Sequence, residues 1–133
     1  MYGELRGKIY DAVVGATGLN NRLYYSQAPQ NPGLTPYCVF YFLNQLTERV
    51  DTYSHQELFW IQFNVFSEEK TTAKTMETVA QNIIDKMDLL KNSLTVNGYS
   101  FIDLKKDFVL PAQKIEGFWR LSIQYSVLLQ KTN

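Results

Sequence analysis

Apolar residues recur with helical spacing in two segments of the chain, 4–16 and 71–91. In the first segment they are Leu5, Ile9, Ala12, Val13 and Ala16. In the second they are Ala73, Met76, Val79, Ala80, Ile83, Met87 and Leu90. Hydroxyl and acidic residues at 67–72 precede the second stripe and suit the unpaired amides and positive pole of a helix start. The spacing therefore predicts two amphipathic helices that pack their apolar stripes on a core.

Strand-like patterns occupy most of the remaining chain. Segment 22–26 is short and aromatic, and segments 37–47 and 58–67 are rich in aromatic and β-branched residues. Segments 58–67 and 118–129 alternate apolar with polar positions. This alternation predicts strands with one buried and one wet face. The polar segment 48–57 predicts the tip of a long β-hairpin, and Asn97-Gly98 predicts a tight hairpin between 94–96 and 99–104. Segment 111–117 is expected to be a loop.

The element order, α-β-β-β-α-β-β-β, indicates an α+β fold with a mainly antiparallel sheet and two helices on one face. A length of 133 residues suits a single domain spanning 1–133. Segment 27–36 contains three prolines and a glycine. We expect an extended loop there, not a domain linker.

Composition narrows the possible chemistry. Thirteen basic and thirteen acidic residues give a net charge of zero, which argues against a protein that neutralises many phosphates. The basic pair Lys105-Lys106 is flanked by Asp103 and Asp107, as a solvated strand end would be. One cysteine and one histidine make a structural zinc site implausible. We see no signal peptide and no apolar run long enough to span a membrane.

Few residues could support catalysis. Ser54 and His55 are adjacent on the expected hairpin, so their side chains point to opposite faces and form a poor relay. Asp51, His55 and Glu57 could hold a metal, although a charged loop tip explains them more simply. Cys38, within an apolar strand, is expected to act as a small hydrophobe. We predict no catalytic, cofactor-binding or metal-binding residue. An enzyme centred on His55 ranks third, after the two functions described below.

Surplus apolar surface is the more informative feature. Segment 37–43 is apolar on both faces, with Tyr37, Val39, Tyr41 and Leu43 on one and Cys38, Phe40 and Phe42 on the other. Because two helices cover about one face of a sheet, we expect part of this surface to meet another subunit. The predicted contact residues are Tyr24, Phe40, Phe42 and Trp60. The alternative is that loop 27–36 folds over the surface.

Four short segments, spread over nearly the whole chain, carry a family resemblance. They are Arg22-Leu23-Tyr24-Tyr25 leading to Ala28-Pro29, Pro36-Tyr37-Cys38-Val39 opening a strand, Phe63-Asn64-Val65-Phe66-Ser67 running into a helix, and Trp119-Arg120-Leu121-Ser122-Ile123 in the last strand. With an N-terminal helix before them, they resemble the tail-completion, or tail-terminator (tail-to-head joining), proteins of long-tailed bacteriophages.

The resemblance implies a structural protein, not an enzyme, and no cofactor. Its copies would form a ring, commonly a hexamer, that caps the tail tube, stops its polymerisation and binds the head-tail connector protein. DNA would pass through the ring without specific binding, and no membrane would be involved. The protein would belong to the virion tail or neck, assembled in the bacterial host cytoplasm, or be prophage-encoded and cytoplasmic.

Two further expectations concern the hairpin tip and the alternatives. The tip residues expected to contact a neighbouring subunit or the ring lumen are Thr47, Glu48, Arg49, Asp51, Tyr53 and His55. Another phage neck (head-completion) component is one alternative function. A small dimeric ligand-binding or regulatory α+β domain, with a pocket on the same sheet face, is the other.

Overall fold

A computed structural model of the protein describes residues 2–29, 36–49, 55–68 and 70–132. The elements are α1 (Tyr2–Val13), β1 (Leu23–Tyr25), β2 (Tyr37–Arg49), β3 (His55–Glu68), α2 (Ala73–Leu90), β4 (Tyr99–Ile115) and β5 (Phe118–Lys131). This confirms the predicted α+β class. Segment 94–96, expected to be a strand, contributes only an isolated bridge between Val96 and Tyr99. The turn between them places Gly98 at φ 83°, a conformation that glycine adopts without strain.

The five strands form one sheet in the order β1-β2-β3-β5-β4. Every neighbouring pair is antiparallel except β1 and β2, which are parallel. The β2–β3 pairing continues from Tyr37↔Phe66 to Arg49↔His55, so both strands extend further into segment 48–57 than their sequence indicates. Strands β1 and β4 are therefore the two edges of the sheet.

Both helices lie on one face of the sheet, as expected, and form the core with it. The α2 stripe is buried at Met76, Val79, Ala80, Ile83, Ile84, Met87 and Leu90. The Thr72 side chain caps α2 by accepting a hydrogen bond from the Thr75 backbone N–H at 3.2 Å. From α1, Leu5, Ile9 and Val13 are fully buried. No helix in the described part of the chain combines the length and apolar character that a bilayer span requires.

Strand β4 corrects one expectation from the sequence. Segment 111–117 is not a loop, because β4 continues through Pro111 to Ile115 and only Glu116 and Gly117 make the turn, at φ 46° and 89°. A proline lacks the N–H that a central strand needs, but an edge strand has one side without a partner and accommodates it. Three register shifts against β5, the last between Leu110 and Gln113, accompany this irregular sequence.

Candidate subunit-contact surface

The sheet presents two faces of different character. On the inner face, which lies under the helices, Cys38, Phe40 and Phe42 pair in register with Val65, Phe63 and Ile61. On the outer face, Tyr37, Val39 and Tyr41 pair with Phe66, Asn64 and Gln62. The predicted division into two sets is therefore confirmed for residues 37–42. The outer face is the one that the helices leave uncovered.

Phe40 corrects the prediction of a subunit contact at that residue. Its side chain is 0% exposed, stacks on Phe63 at a 5.7 Å ring-centroid distance and meets the edge of Tyr25 at 5.3 Å. A side chain enclosed in this way belongs to the core of the protomer and does not reach a neighbour. Alternation along β2 separated the two faces, but it did not indicate which face the helices cover.

The other three predicted contact residues are half-buried. Phe42 follows Phe40 on the inner face, where it packs against Phe59 and Tyr25 with ring centroids 6.1 Å away in each case. Trp60 lies on the outer face, in register with Ser126 of β5. Tyr24 is on the edge strand β1. Their contact with another subunit remains a prediction.

A line of aromatic side chains crosses the outer face at one end of the sheet. Tyr24 of β1 meets Tyr37 of β2 at 6.3 Å, Tyr37 stacks on Phe66 of β3 at 5.4 Å, and Phe66 meets Phe118 of β5 at 5.9 Å. We call these four residues the aromatic row. Burial, and then the neighbouring Tyr24, raise the pKa of Tyr37 above its ordinary value, so its phenol is a neutral hydrogen-bond donor.

Beside the aromatic row, the middle of the outer face is polar and internally hydrogen-bonded. Asn64 accepts from Gln62 at 2.9 Å and from the Ser122 hydroxyl at 2.6 Å, and it donates to the Tyr41 hydroxyl at 3.2 Å. The bonds join β2, β3 and β5. We call these four residues the polar network; the three bonds give each of them a hydrogen-bond partner within the protomer.

A second polar group lies further along the same face. The Asp107 carboxylate on β4 accepts from Gln124 at 3.3 Å and from the Ser126 hydroxyl at 3.0 Å. Asp107 thereby ties the edge strand to its neighbour β5. In the sequence it was noted only as a charge beside Lys106.

An apolar patch on β4 was missed by the sequence analysis. Phe108, Val109 and Leu110 are 39%, 38% and 48% exposed, and they stand on an edge strand at the opposite side of the sheet from β1. We call these three residues the β4 patch. In the sequence this patch is visible as a short apolar run before Pro111. The run lies between the predicted strands 99–104 and 118–129, so the pattern assigned it to neither strand.

The hairpin-tip prediction falls mainly outside the residues described. Asp51 and Tyr53 lie in the segment 50–54, and the side chains of Thr47, Glu48, Arg49 and His55 are likewise outside the description. Asp51 and His55 belong to the trio with Glu57 that the sequence analysis weighed as a metal site and did not favour, so this trio lies partly outside the described residues. Among the side chains that are described, no group of three histidine, cysteine or acidic residues is close enough to hold a metal.

The remaining candidates for chemistry are enclosed or shallow. Burial raises the pKa of the Cys38 thiol far above its ordinary value, so the thiolate that a nucleophile requires is disfavoured. An open groove of about 440 Å³ lies between α1 and the end of α2, lined by residues that include Lys8, Asp11 and Leu89. This groove is on the helical layer, away from the sheet face on which a ligand pocket was the alternative.

Comparisons with known proteins bear on the fold. No family model matches the chain. No curated protein matches it either. Among solved structures, a chain from the virion of a native gene transfer agent particle is similar, with a TM-score of 0.61 and 16% sequence identity. The match covers 97% of this chain and 90% of that one. The likeness establishes a shared fold over almost the whole length of both.

Proposed function

We propose that this protein is a structural component of a phage-like virion and that it acts as a tail terminator. Six copies form a ring on the end of the tail tube, stop its polymerisation and join the tail to the head connector. The aromatic row carries the proposal, because a lone domain rarely leaves four linked rings partly open to water. The fold shared with a chain of a gene transfer agent virion supports it.

A terminator must bind sister copies side by side without extending the tube. Contacts between two different patches give a ring when the rotation closes, and a filament when it does not. A net charge of zero means that little long-range repulsion opposes the approach of one copy to the next. The surface chemistry is therefore compatible with self-assembly that needs no bound cofactor.

The charge pattern suits a ring through which DNA passes. The sequence contains a single adjacent basic pair, Lys105-Lys106, and Asp103 and Asp107 flank it. Asp107 is fixed beside this pair by its bonds to Gln124 and Ser126. Tight binding to DNA depends on many cations that neutralise phosphates, and balanced charges of this kind do not provide them.

Tube length in the presence of the protein tests this function. Tail-tube protein from the same genome would be polymerised in vitro with increasing amounts of the protein, and tube lengths would be measured in electron micrographs. We expect tubes to become shorter as the protein is added, with extra ring density at one end. An equal amount of an unrelated protein is the control.

Three outcomes separate the alternatives. Tubes of unchanged length with bare ends would contradict the terminator role. If the protein instead binds isolated head connectors and not tube ends, it is the other kind of neck component, one that completes the head. A dimer that copurifies with a metabolite would favour the ligand-binding alternative.

A further inference from the structure

The two edges of the sheet carry different apolar surfaces. On β1, Tyr24 is half-buried and Tyr25 is 37% exposed, and the Arg6 guanidinium lies 4.9 Å from the Tyr25 ring centroid. We call Tyr24 and Tyr25 the β1 patch. On the far edge is the β4 patch, aliphatic except for Phe108. Four inter-strand steps separate the two edges, which places the patches about 19 Å apart.

The β4 edge is built to contact a folded surface and not an added strand. Register shifts between Lys106 and Phe108 and between Leu110 and Gln113 interrupt its regular spacing on both sides of the patch. Pro111 directly after the patch cannot donate a ladder hydrogen bond. Lysines, prolines and bulges are the features that keep an edge strand from templating another strand. The exposed side chains of the patch, rather than the backbone edge, are therefore its contact surface.

The β1 patch has the chemistry that such a contact needs. Tyrosine rings bury a large apolar area while their hydroxyls keep a polar handle, and tyrosine is enriched in protein interfaces for that reason. Tyr25 is braced by Phe40 and by Arg6, so little side-chain entropy is lost when a partner covers it. Aromatic rings on one edge and aliphatic side chains on the other can pack against each other.

We propose that the β1 patch of one copy binds the β4 patch of the next, so that these two surfaces form the head-to-tail contact of the ring. This inference rests on the proposed function, because a closed ring requires two unlike patches on opposite sides of each subunit. A rotation about an axis along the strands brings the β1 edge of one copy to the β4 edge of the next. Because β4 runs opposite to β1, the two edge strands then lie antiparallel.

Mixing two variants that each lack one patch tests the contact. Leu110→Glu disables the β4 patch, and Tyr24→Glu disables the β1 patch. Each variant alone can make no good contact, since every pairing then brings at least one glutamate into the interface. In a mixture, the intact β1 patch of the first variant can bind the intact β4 patch of the second. We expect the wild type to form rings, each variant alone to be monomeric, and the mixture to form 1:1 heterodimers and nothing larger, by native mass spectrometry.

Controls separate a lost contact from a lost fold. Leu89→Glu introduces the same charge at a 63% exposed apolar residue on α2, outside both patches, and should leave ring formation intact. Thermal melting of each variant checks folding. If Leu110→Glu or Tyr24→Glu does not fold, Phe108→Glu and Tyr25→Glu replace them.

Several results would overturn the inference. The wild type could stay monomeric at the highest concentration reached, or the variants could still form rings. A folded single variant could also still form homodimers, which would indicate a self-complementary contact. A mixture of the two folded variants that gives no heterodimer would also contradict the proposed contact. If the wild type nevertheless shortens tail tubes, only the assignment of the contact fails. If heterodimers form as expected but tubes keep their full length, the contact stands and the terminator role fails.

Discussion

The two faces of strand β3 differ in how they are stabilised. The inner side chains of Phe59, Ile61, Phe63 and Val65 are all fully buried under the helices. The outer side chains of Trp60, Gln62, Asn64 and Phe66 are half-buried; hydrogen bonds hold Gln62 and Asn64, and ring contacts hold Phe66. The inner face is completed within one protomer. The outer face is polar at its centre and aromatic at one end, so it has a stable surface of its own and a part that is left for a partner.

The largest expected effect comes from emptying the inner face. Phe63 stacks on Phe40 at 5.7 Å and meets the edge of Tyr125 at 6.2 Å, with no exposed surface. Phe63→Ala should lower the free energy of unfolding by about 3–5 kcal/mol, because it leaves a cavity in a packed core. Urea unfolding followed by circular dichroism measures the change.

Phe66→Ala is the matched control on the outer face of the same strand. Phe66 contacts Tyr37 and Phe118 but is half-buried, so its removal should cost only about 1 kcal/mol. Equal losses for the two variants would contradict the division into a core face and a partner face.

A smaller loss is expected from the polar network. Asn64→Ala removes bonds to Gln62, Tyr41 and Ser122, and the Ser122 residue is only 3% exposed. The buried hydroxyl then loses its acceptor, so we expect the free energy of unfolding to fall by about 1–3 kcal/mol. Gln124→Ala, which removes the longer of the two hydrogen bonds that Asp107 accepts, should change it by less than about 0.5 kcal/mol. If the two variants behave alike in chemical denaturation, the network does not stabilise the outer face.

One inner-face change is expected to stabilise the protein. The Tyr125 hydroxyl is buried and has no hydrogen-bond partner within the described ranges. Its removal in Tyr125→Phe keeps the ring that packs against Phe63, so the free energy of unfolding should rise by about 1 kcal/mol. Calorimetric melting checks this. A lower melting temperature would show that the hydroxyl is satisfied in solution.

The same hydroxyl also predicts a loss of stability in alkali, which is small at pH 10. Burial, and then Asp88 and Asp85, raise the pKa of Tyr125 above its ordinary value. Above about pH 10 the unfolded state therefore binds fewer protons than the folded state, and stability falls as pH rises. The contribution is about 0.4 kcal/mol at pH 10 and grows above it. Chemical denaturation of the wild type and of Tyr125→Phe from pH 8 to 11 isolates this contribution. If the free energy of unfolding depends on pH in the same way for both proteins, the contribution does not come from Tyr125.

The sequence pattern was sufficient to identify the buried side of an element that has one apolar and one polar side. The α2 stripe and the alternation in β3 and β5 each identified a buried side, since a helical or twofold period depends only on local geometry. Phe40 shows the limit of that reasoning. Its side chain is as apolar as those of its neighbours on β2. Only the position of the helices decides that it is buried in the core and not exposed to a neighbouring subunit. Pro111 shows another limit, because a proline is read as a strand breaker unless the strand is known to be an edge.

The two helices, the α+β class and the two-sided apolar character of segment 37–43 follow from the sequence alone, because they depend on local periodicity and on the limited area that two helices can cover. The strand order β1-β2-β3-β5-β4 was decided by the tertiary structure. That order places β1 and β4 at opposite edges, joins Asn64 to Ser122 across 58 positions of the sequence, and separates an enclosed Phe40 from an exposed Leu110. Such pairings bring together residues distant in the chain, and no local pattern specifies them.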